Sequence, residues 1–233
     1  MRPSLVEPFP LAGGQQLLDA GFVVMAPDYD GLGSDGVHPN LVSESEGRAV
    51  LDIARAAANF GGSEVVASWG HSQGGHAALA ARAIAARYAP DISLRSVAAA
   101  SPPTDLAAVL DPGFDSATQL GITAQTVVSW ATVYENTGFE QFGTADAVAA
   151  ASVVLESCFI DIAAVTVELD PSAVWASDPA AVPAWESLTA YNSIDPADGT
   201  SPVFITHGGD DTLVPISGSQ ALVAGLCDRF STG

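Results

Sequence analysis

Residues 64–76, EVVASWGHSQGGH, hold the change of pattern on which the fold is decided. Glu64 to Trp69 is a short, mostly apolar run, and Gln73 to Tyr88 is an Ala-rich segment stopped before Pro90. The first reads as a buried strand and the second as a helix. Between them stands Gly70-His71-Ser72-Gln73-Gly74, with Gly75 behind it. A serine that joins strand to helix directly is held in a strained backbone conformation. Glycines at 70 and 74 are expected to remove collisions that side chains there would make with the neighbouring strand and helix. Such a turn lifts the Ser72 hydroxyl out of the sheet and sets the Gln73 N–H at a helix N-terminus, where it can stabilise an oxyanion. His71 and His76 stand too close in sequence to fold back on Ser72 and read as packing or hydrogen-bonding histidines.

The same alternation continues on both sides. Upstream, Gly21 to Asp28 (GFVVMAPD) reads as a buried strand, preceded by a helix over Ala12 to Ala20. After the loop YDGLGSDGVHPN, Ser43 and Glu46 have the spacing of a capping box. The helix they open carries Val50, Ile53, Ala54, Ala57 and Ala58 and is stopped by Gly61-Gly62. Downstream come strands over Arg95 to Ala100 and Val203 to His207, and a helix over Ser217 to Phe230. Strand alternating with helix predicts an α/β fold with a mostly parallel sheet flanked by helices. Between roughly 105 and 200 the rhythm is lost, and helical pieces at Ala124 to Tyr134 and Ala145 to Leu155 alternate with breakers. That length exceeds an ordinary connection and predicts an inserted helical cap. Residues 1–104 and 201–233 would then form one core domain and 105–200 the cap.

Composition narrows the partners. The chain has 233 residues, 48% of them hydrophobic, and a net charge of −20. Its seven basic residues, all Arg, face 27 acidic ones, which argues against nucleic acid and anionic membranes as partners. Two cysteines, Cys158 and Cys227, exclude a disulfide-dense scaffold and multi-cysteine metal sites. No apolar run is long enough to span a bilayer, and MRPSLVEPFP has no signal-peptide core. Nothing in the pattern calls for a metal or an organic cofactor.

A second polar motif follows the last strand: HGGDDTLVP at 207–215, a loop at the carboxyl end of a parallel strand, where such sheets gather functional groups. Asp211 is the candidate acid that would orient a catalytic imidazole, with Asp210 as the alternative. In the chain order Ser, acid, His, the base should follow Asp211, yet no histidine follows His207. The expectation is that the base comes from outside the sequence given, or that the chain is a near-inactive remnant.

These motifs together resemble the secretory lipases of the α/β-hydrolase superfamily, found in fungi and actinobacteria. The resemblance rests on PSLVEPFP at 3–10, AGFVVMAPDYDGLGSDGVHPNLVSESEGRAVLDIARAA at 20–57, GHSQGGHAA at 70–78, SPPTDL at 101–106 and HGGDDTLVP at 207–215. It implies an α/β-hydrolase fold, Ser72 as nucleophile, Asp211 as acid, and a cap over an acyl-binding tunnel. It also implies a secreted enzyme acting on a small ester or lipid. The family pattern further implies strands, a second oxyanion donor and the catalytic histidine in segments on either side of this sequence. Cys158 and Cys227 would have their partners there and so be two free thiols here, a bridge between them being the alternative. Open sheet edges at the places of such strands would make the fragment unstable or self-associating. A catalytically inactive hydrolase, or a serine peptidase or acyltransferase on the same fold, are the rival expectations. Trp69 reads as core. Asp28, Tyr29 and Asp30 could border the pocket or simply shape their loop. Trp130, Trp175, Trp185, Phe139 and Phe159 suit either an acyl site or packing beneath the cap.

Overall fold

In the computed structural model, residues 13–111, 117–135, 137–149 and 174–231 are described. Their frame is a parallel sheet of β1 (Val65–His71), β2 (Ser93–Ala100) and β3 (Val203–Thr206), in that order. Helix α3 (Gln73–Tyr88) crosses from β1 to β2 and packs on both. Its small residues Ala77, Ala78, Ala80 and Ala81 are all buried, which lets it lie close to the sheet. Ala78 and Leu79 of α3 share an apolar cluster with Val97 and Ala99 of β2 and with Leu222 of α7 (Ile216–Ser231). Helices α3 and α7 thus cover one face of the sheet.

Helix α2 (Ser43–Ala56) lies on the far side of α3, with Leu51 buried against Ala81 and Ile84. A Cβ at Gly47 would come within 3.0 Å of Ala80 and Ala81 backbone atoms, so the close approach of the two helices needs a residue without one. The helix passes into a short 3-10 turn and stops at Gly61, whose φ of 82° is left-handed, as the Gly61-Gly62 pair predicts. Between β2 and β3 come α4 (Leu106–Val109), α5 (Ala117–Val133), a helical turn at 145–149 and α6 (Pro183–Asn192). Trp130, Trp185, Phe139 and Phe142 build a second apolar cluster there, and it also takes in Leu41 and Val42. The Trp130 and Trp185 rings stack at 5.8 Å and both are fully buried, so these two pack rather than line a surface.

Three expectations are corrected. Residues 22–29 form no ladder: helix α1 (Gly14–Asp19) precedes them, but no described strand lies alongside, and Phe22 is 60% exposed. An apolar run becomes a strand only with a neighbour to bond to. Trp69 is not core, because alternation along β1 turns it to the face that no described helix covers, where it is 49% exposed, in register across Ala98 with a 66% exposed Phe204 on β3. The capping box does not close, since Ser43 already lies inside α2 and its N–H donates to the Asn192 side chain. Glu46 reaches back instead to the Leu41 N–H at 2.9 Å. Phe159 and Cys158 lie outside the described residues, and Cys227 is exposed on α7.

Candidate active site

Ser72 occupies the one-residue turn between β1 and α3 with φ 53° and ψ −121°. That conformation costs a side-chain-bearing residue roughly 1–3 kcal/mol, so the surroundings must impose it. The Ser72 N–H donates to the Ala100 carbonyl at the end of β2 (2.8 Å), and its own carbonyl accepts from Gly75 (2.8 Å) and His76 (3.1 Å). The close approach falls at Gly70, where a Cβ would stand 2.0 Å from the Gly74 carbonyl oxygen. Gly75 is tight as well, with Pro102 Cβ at 3.1 Å. The collision expected at Gly74 is absent, since a Cβ there would meet nothing within 4 Å among the described residues. The glycine requirement of the turn therefore sits at 70 and 75.

With the Gly75 and His76 amides taken by Ser72, the Gln73 N–H opens α3 with no acceptor among the described residues. It carries the positive end of a sixteen-residue helix, the electrostatics an oxyanion needs. The Gln73 side chain is fixed separately. Its Nε2 lies 2.8 Å from Glu46 Oε1 and 2.6 Å from His38 Nε2. One atom facing both a carboxylate and an imidazole nitrogen must be the amide NH₂, which donates one proton to each. His38 is therefore the acceptor at Nε2, with its proton on Nδ1 donated to the Asp30 carbonyl (3.0 Å). The His38 ring stacks on Tyr29, and burial, reinforced by the Glu46 charge, pushes the Tyr29 phenol well above its ordinary value. Of the three loop residues in question, Tyr29 thus shapes the loop.

Glu46 itself is fully buried and pairs with the equally buried His76 (Oε2 to Nδ1, 2.6 Å). His76 Nε2 faces the Asn192 carbonyl at 2.8 Å, so both ring nitrogens meet acceptors and the ring is the imidazolium. Burial alone would lower the His76 pKa, but the Glu46 charge, its hydrogen bond and the Asn192 carbonyl together raise it. A buried ion pair holds only when its remaining lone pairs and protons are satisfied, and here they are.

Asp211 follows β3. Its Oδ1 accepts from the Leu213 (2.9 Å) and Val214 (3.0 Å) N–H groups. Burial raises its pKa, yet those two bonds, the nearby Ser101 hydroxyl and His207 outweigh it and hold the carboxyl below the usual range. Asp210 is exposed in the turn. Ser101 links the two ends of the site: its φ is 44° and its N–H donates to the Thr206 carbonyl (2.8 Å). Ser72 and Thr206, the last residue of β3 before the Asp211 loop, are thus tied to consecutive residues, Ala100 and Ser101, at the carboxyl end of the middle strand. Adjacent strands lie about 4.8 Å apart, so the ends of β1 and β3 are about 10 Å apart, room for one imidazole and two hydrogen bonds. Sequence reasoning missed Ser101, although SPP after an apolar run marks a strand end.

His207 is buried, with Nδ1 on the Ser219 hydroxyl (2.8 Å) and Nε2 on the Val214 carbonyl (3.0 Å), and it pins the Asp211 loop. His71 is exposed as the last residue of β1. His38 and His76 are committed as described, His207 Nε2 meets Asp211 Oδ2 at 3.4 Å, and no hydrogen bond among the described residues joins any of the four histidine rings to Ser72.

A parallel sheet backed by helices, with a strained serine at one strand end and a hydrogen-bonded aspartate two strands over, defines an α/β-hydrolase fold. The profile of the secretory lipase family matches residues 14–165, and the chain belongs to that family. Candida antarctica lipase A is similar in structure, with a TM-score of 0.70 and 19% identity over 82% of this chain and 48% of its own. The rice cell wall degrading esterase LipA of Xanthomonas oryzae gives a TM-score of 0.73 and 21% identity over 86% of this chain and 60% of its own. The chain thus spans about half to three fifths of the length of these solved structures. No curated protein matches it by sequence.

Proposed function

We propose that this chain carries the nucleophile, the acid and one oxyanion donor of a secreted serine ester hydrolase acting on apolar esters. The observation behind the reading is that a strained Ser72 is tied to Ala100 at the end of β2, while the end of β3, which leads to a twice hydrogen-bonded Asp211, is tied to the next residue, Ser101. The Ser72 Oγ attacks the ester carbonyl while its proton passes to an imidazole. The Gln73 N–H stabilises the oxygen that gains charge, and the alcohol leaves with the proton. Water then attacks the acyl-serine by the same route, releasing the carboxylic acid. Asp211, ionised, holds the imidazole in the right tautomer and stabilises its cation.

The imidazole is the part that none of the four histidines supplies. That observation favours a second reading, in which this stretch alone binds esters and turns them over at a residual rate, about 10⁴- to 10⁶-fold below a complete triad. Adding imidazole to the solution separates the two. Hydrolysis of p-nitrophenyl acyl esters should rise with imidazole beyond the buffer reaction, and Ser72→Ala should abolish the excess. A peptide anilide should not be cleaved. Equal rates for the protein and Ser72→Ala under all conditions would leave only binding, and anilide cleavage would point to a peptidase.

A further inference from the structure

We propose that the Gln73 side chain, clamped between Glu46 and His38, is a positioning group that keeps the Ser72–Gln73 peptide turned with its N–H toward the oxyanion. The proposal rests on the reading of Ser72 as nucleophile and adds a role that the main-chain amide alone does not carry.

The physical argument begins with strain. Ser72 sits at φ 53° and ψ −121°, and the peptide linking it to Gln73 is where that strain can relax. Rotating this peptide changes ψ of residue 72 and φ of residue 73, breaks the bonds its carbonyl accepts from Gly75 and His76, and turns the N–H away from the hydroxyl. The first residue of a helix has no intrahelical bond to hold its own amide. The two bonds at the Ser72 carbonyl oppose the rotation from one end of the peptide, and the anchored side chain of residue 73 opposes it from the other. The Gln73 carboxamide is anchored at two points on two different segments, Glu46 on α2 and His38 in the loop before it.

Glu46 is a fixed platform. It is fully buried, bonded to the Leu41 N–H and to His76, and His76 is held in turn by the Asn192 carbonyl. Asn192 also ties in Ser43 of α2 and the Tyr134 hydroxyl beyond α5, so the platform is braced by three elements. His38 is held by the Asp30 carbonyl and stacked on Tyr29. The clamp has a sharp chemical requirement: residue 73 must offer two donors on one atom, and residue 38 an acceptor.

The test is the rate of fluorophosphonate labelling of Ser72, in the presence of imidazole, across a small set of variants. Ser72→Ala gives the blank and thermal melting is followed alongside. Gln73→Leu keeps the main-chain amide and the shape of the side chain but loses both anchors. His38→Phe keeps the stacking on Tyr29 but removes the acceptor, whereas His38→Gln supplies one again near the place of Nε2. Labelling should slow about ten- to a hundredfold in Gln73→Leu and His38→Phe, the scale of misplacing a catalytic group by an ångström or less. His38→Gln should restore most of it, with melting temperatures that do not follow the rates. Labelling of Gln73→Leu at the rate of the parent protein would overturn the clamp while leaving Ser72 as nucleophile. Should Gln73→Leu fail to fold, equal rates for His38→Phe and His38→Gln would overturn it just as well. No labelling of the parent protein would remove the nucleophile reading and the clamp with it.

Discussion

Two glycines two positions either side of Ser72 look equivalent in sequence, and the structure assigns their replacement by alanine opposite signs. A Cβ on Gly70 would lie 2.0 Å from the Gly74 carbonyl oxygen, 2.1 Å from its carbon and 2.7 Å from the Gly75 nitrogen. All three atoms are backbone at the start of α3, a helix fixed against β1, β2 and α2, so relief means moving the helix by more than an ångström. Overpacking costs about 1–3 kcal/mol where side chains can yield; here they cannot, and Gly70→Ala is expected to lose about 3 kcal/mol or more. For a chain of this length that is a fall of about 6–12 °C in melting temperature. Gly74→Ala places its Cβ within 4 Å of nothing among the described residues, inside a helix where alanine exceeds glycine by up to about 1 kcal/mol. It should leave stability unchanged or raise it by about 2–4 °C. Urea and thermal unfolding of both variants beside the parent decide the matter. A Gly70→Ala protein as stable as the parent, or a Gly74→Ala protein destabilised as much as Gly70→Ala, would refute the geometry assigned to the turn.

Other perturbations are as direct. His76→Ala strands the buried Glu46 carboxylate without its cation and should cost about 3–5 kcal/mol in urea unfolding, whereas an exposed pair such as Arg48 with Glu44 should cost under about 1 kcal/mol. Asp211→Asn keeps an acceptor for Leu213 and Val214 but gives up the charge, so it should destabilise by about 1 kcal/mol at neutral pH. Because the Asp211 pKa is depressed on folding, its contribution is complete above about pH 4 and fades as the pH drops through the folded value. The melting difference between parent and Asp211→Asn should therefore shrink on acidification, and a difference growing toward low pH would contradict the assigned bonds. Trp69 and Phe204, exposed together on the open sheet face, should drive concentration-dependent self-association in sedimentation, and Trp69→Lys with Phe204→Lys should reduce it.

What was legible in the sequence is what depends on neighbours in the chain. The start of α3 at Gln73 and its end at Tyr88 follow from the serine turn and from Pro90, and both appear where the pattern places them. The parallel order follows from the βαβ rhythm alone. The sidedness of the sheet was hidden for a physical reason: strands of a parallel sheet are apolar on both faces, so VVASW carries no mark of which side a helix covers. Trp69 was misread on that account. Residues 21–28 have the composition of a strand, but pairing is a property of two segments, and the sequence of one segment cannot state it.

The histidines show how folding turns chemistry that composition leaves open into a definite assignment. His38 stands before a proline in a polar loop, and nothing near it in the chain reveals its partners. The fold brings it to Gln73, whose single nitrogen must serve both His38 and Glu46. That geometry places the His38 proton on Nδ1 and commits Nε2 to the clamp, so His38 cannot take a proton from Ser72 without releasing Gln73. On the proposed clamp, a histidine that holds Gln73 in this way is not free to act as the base. On that proposal His38 is not the proton acceptor, and added imidazole should raise the turnover of Ser72.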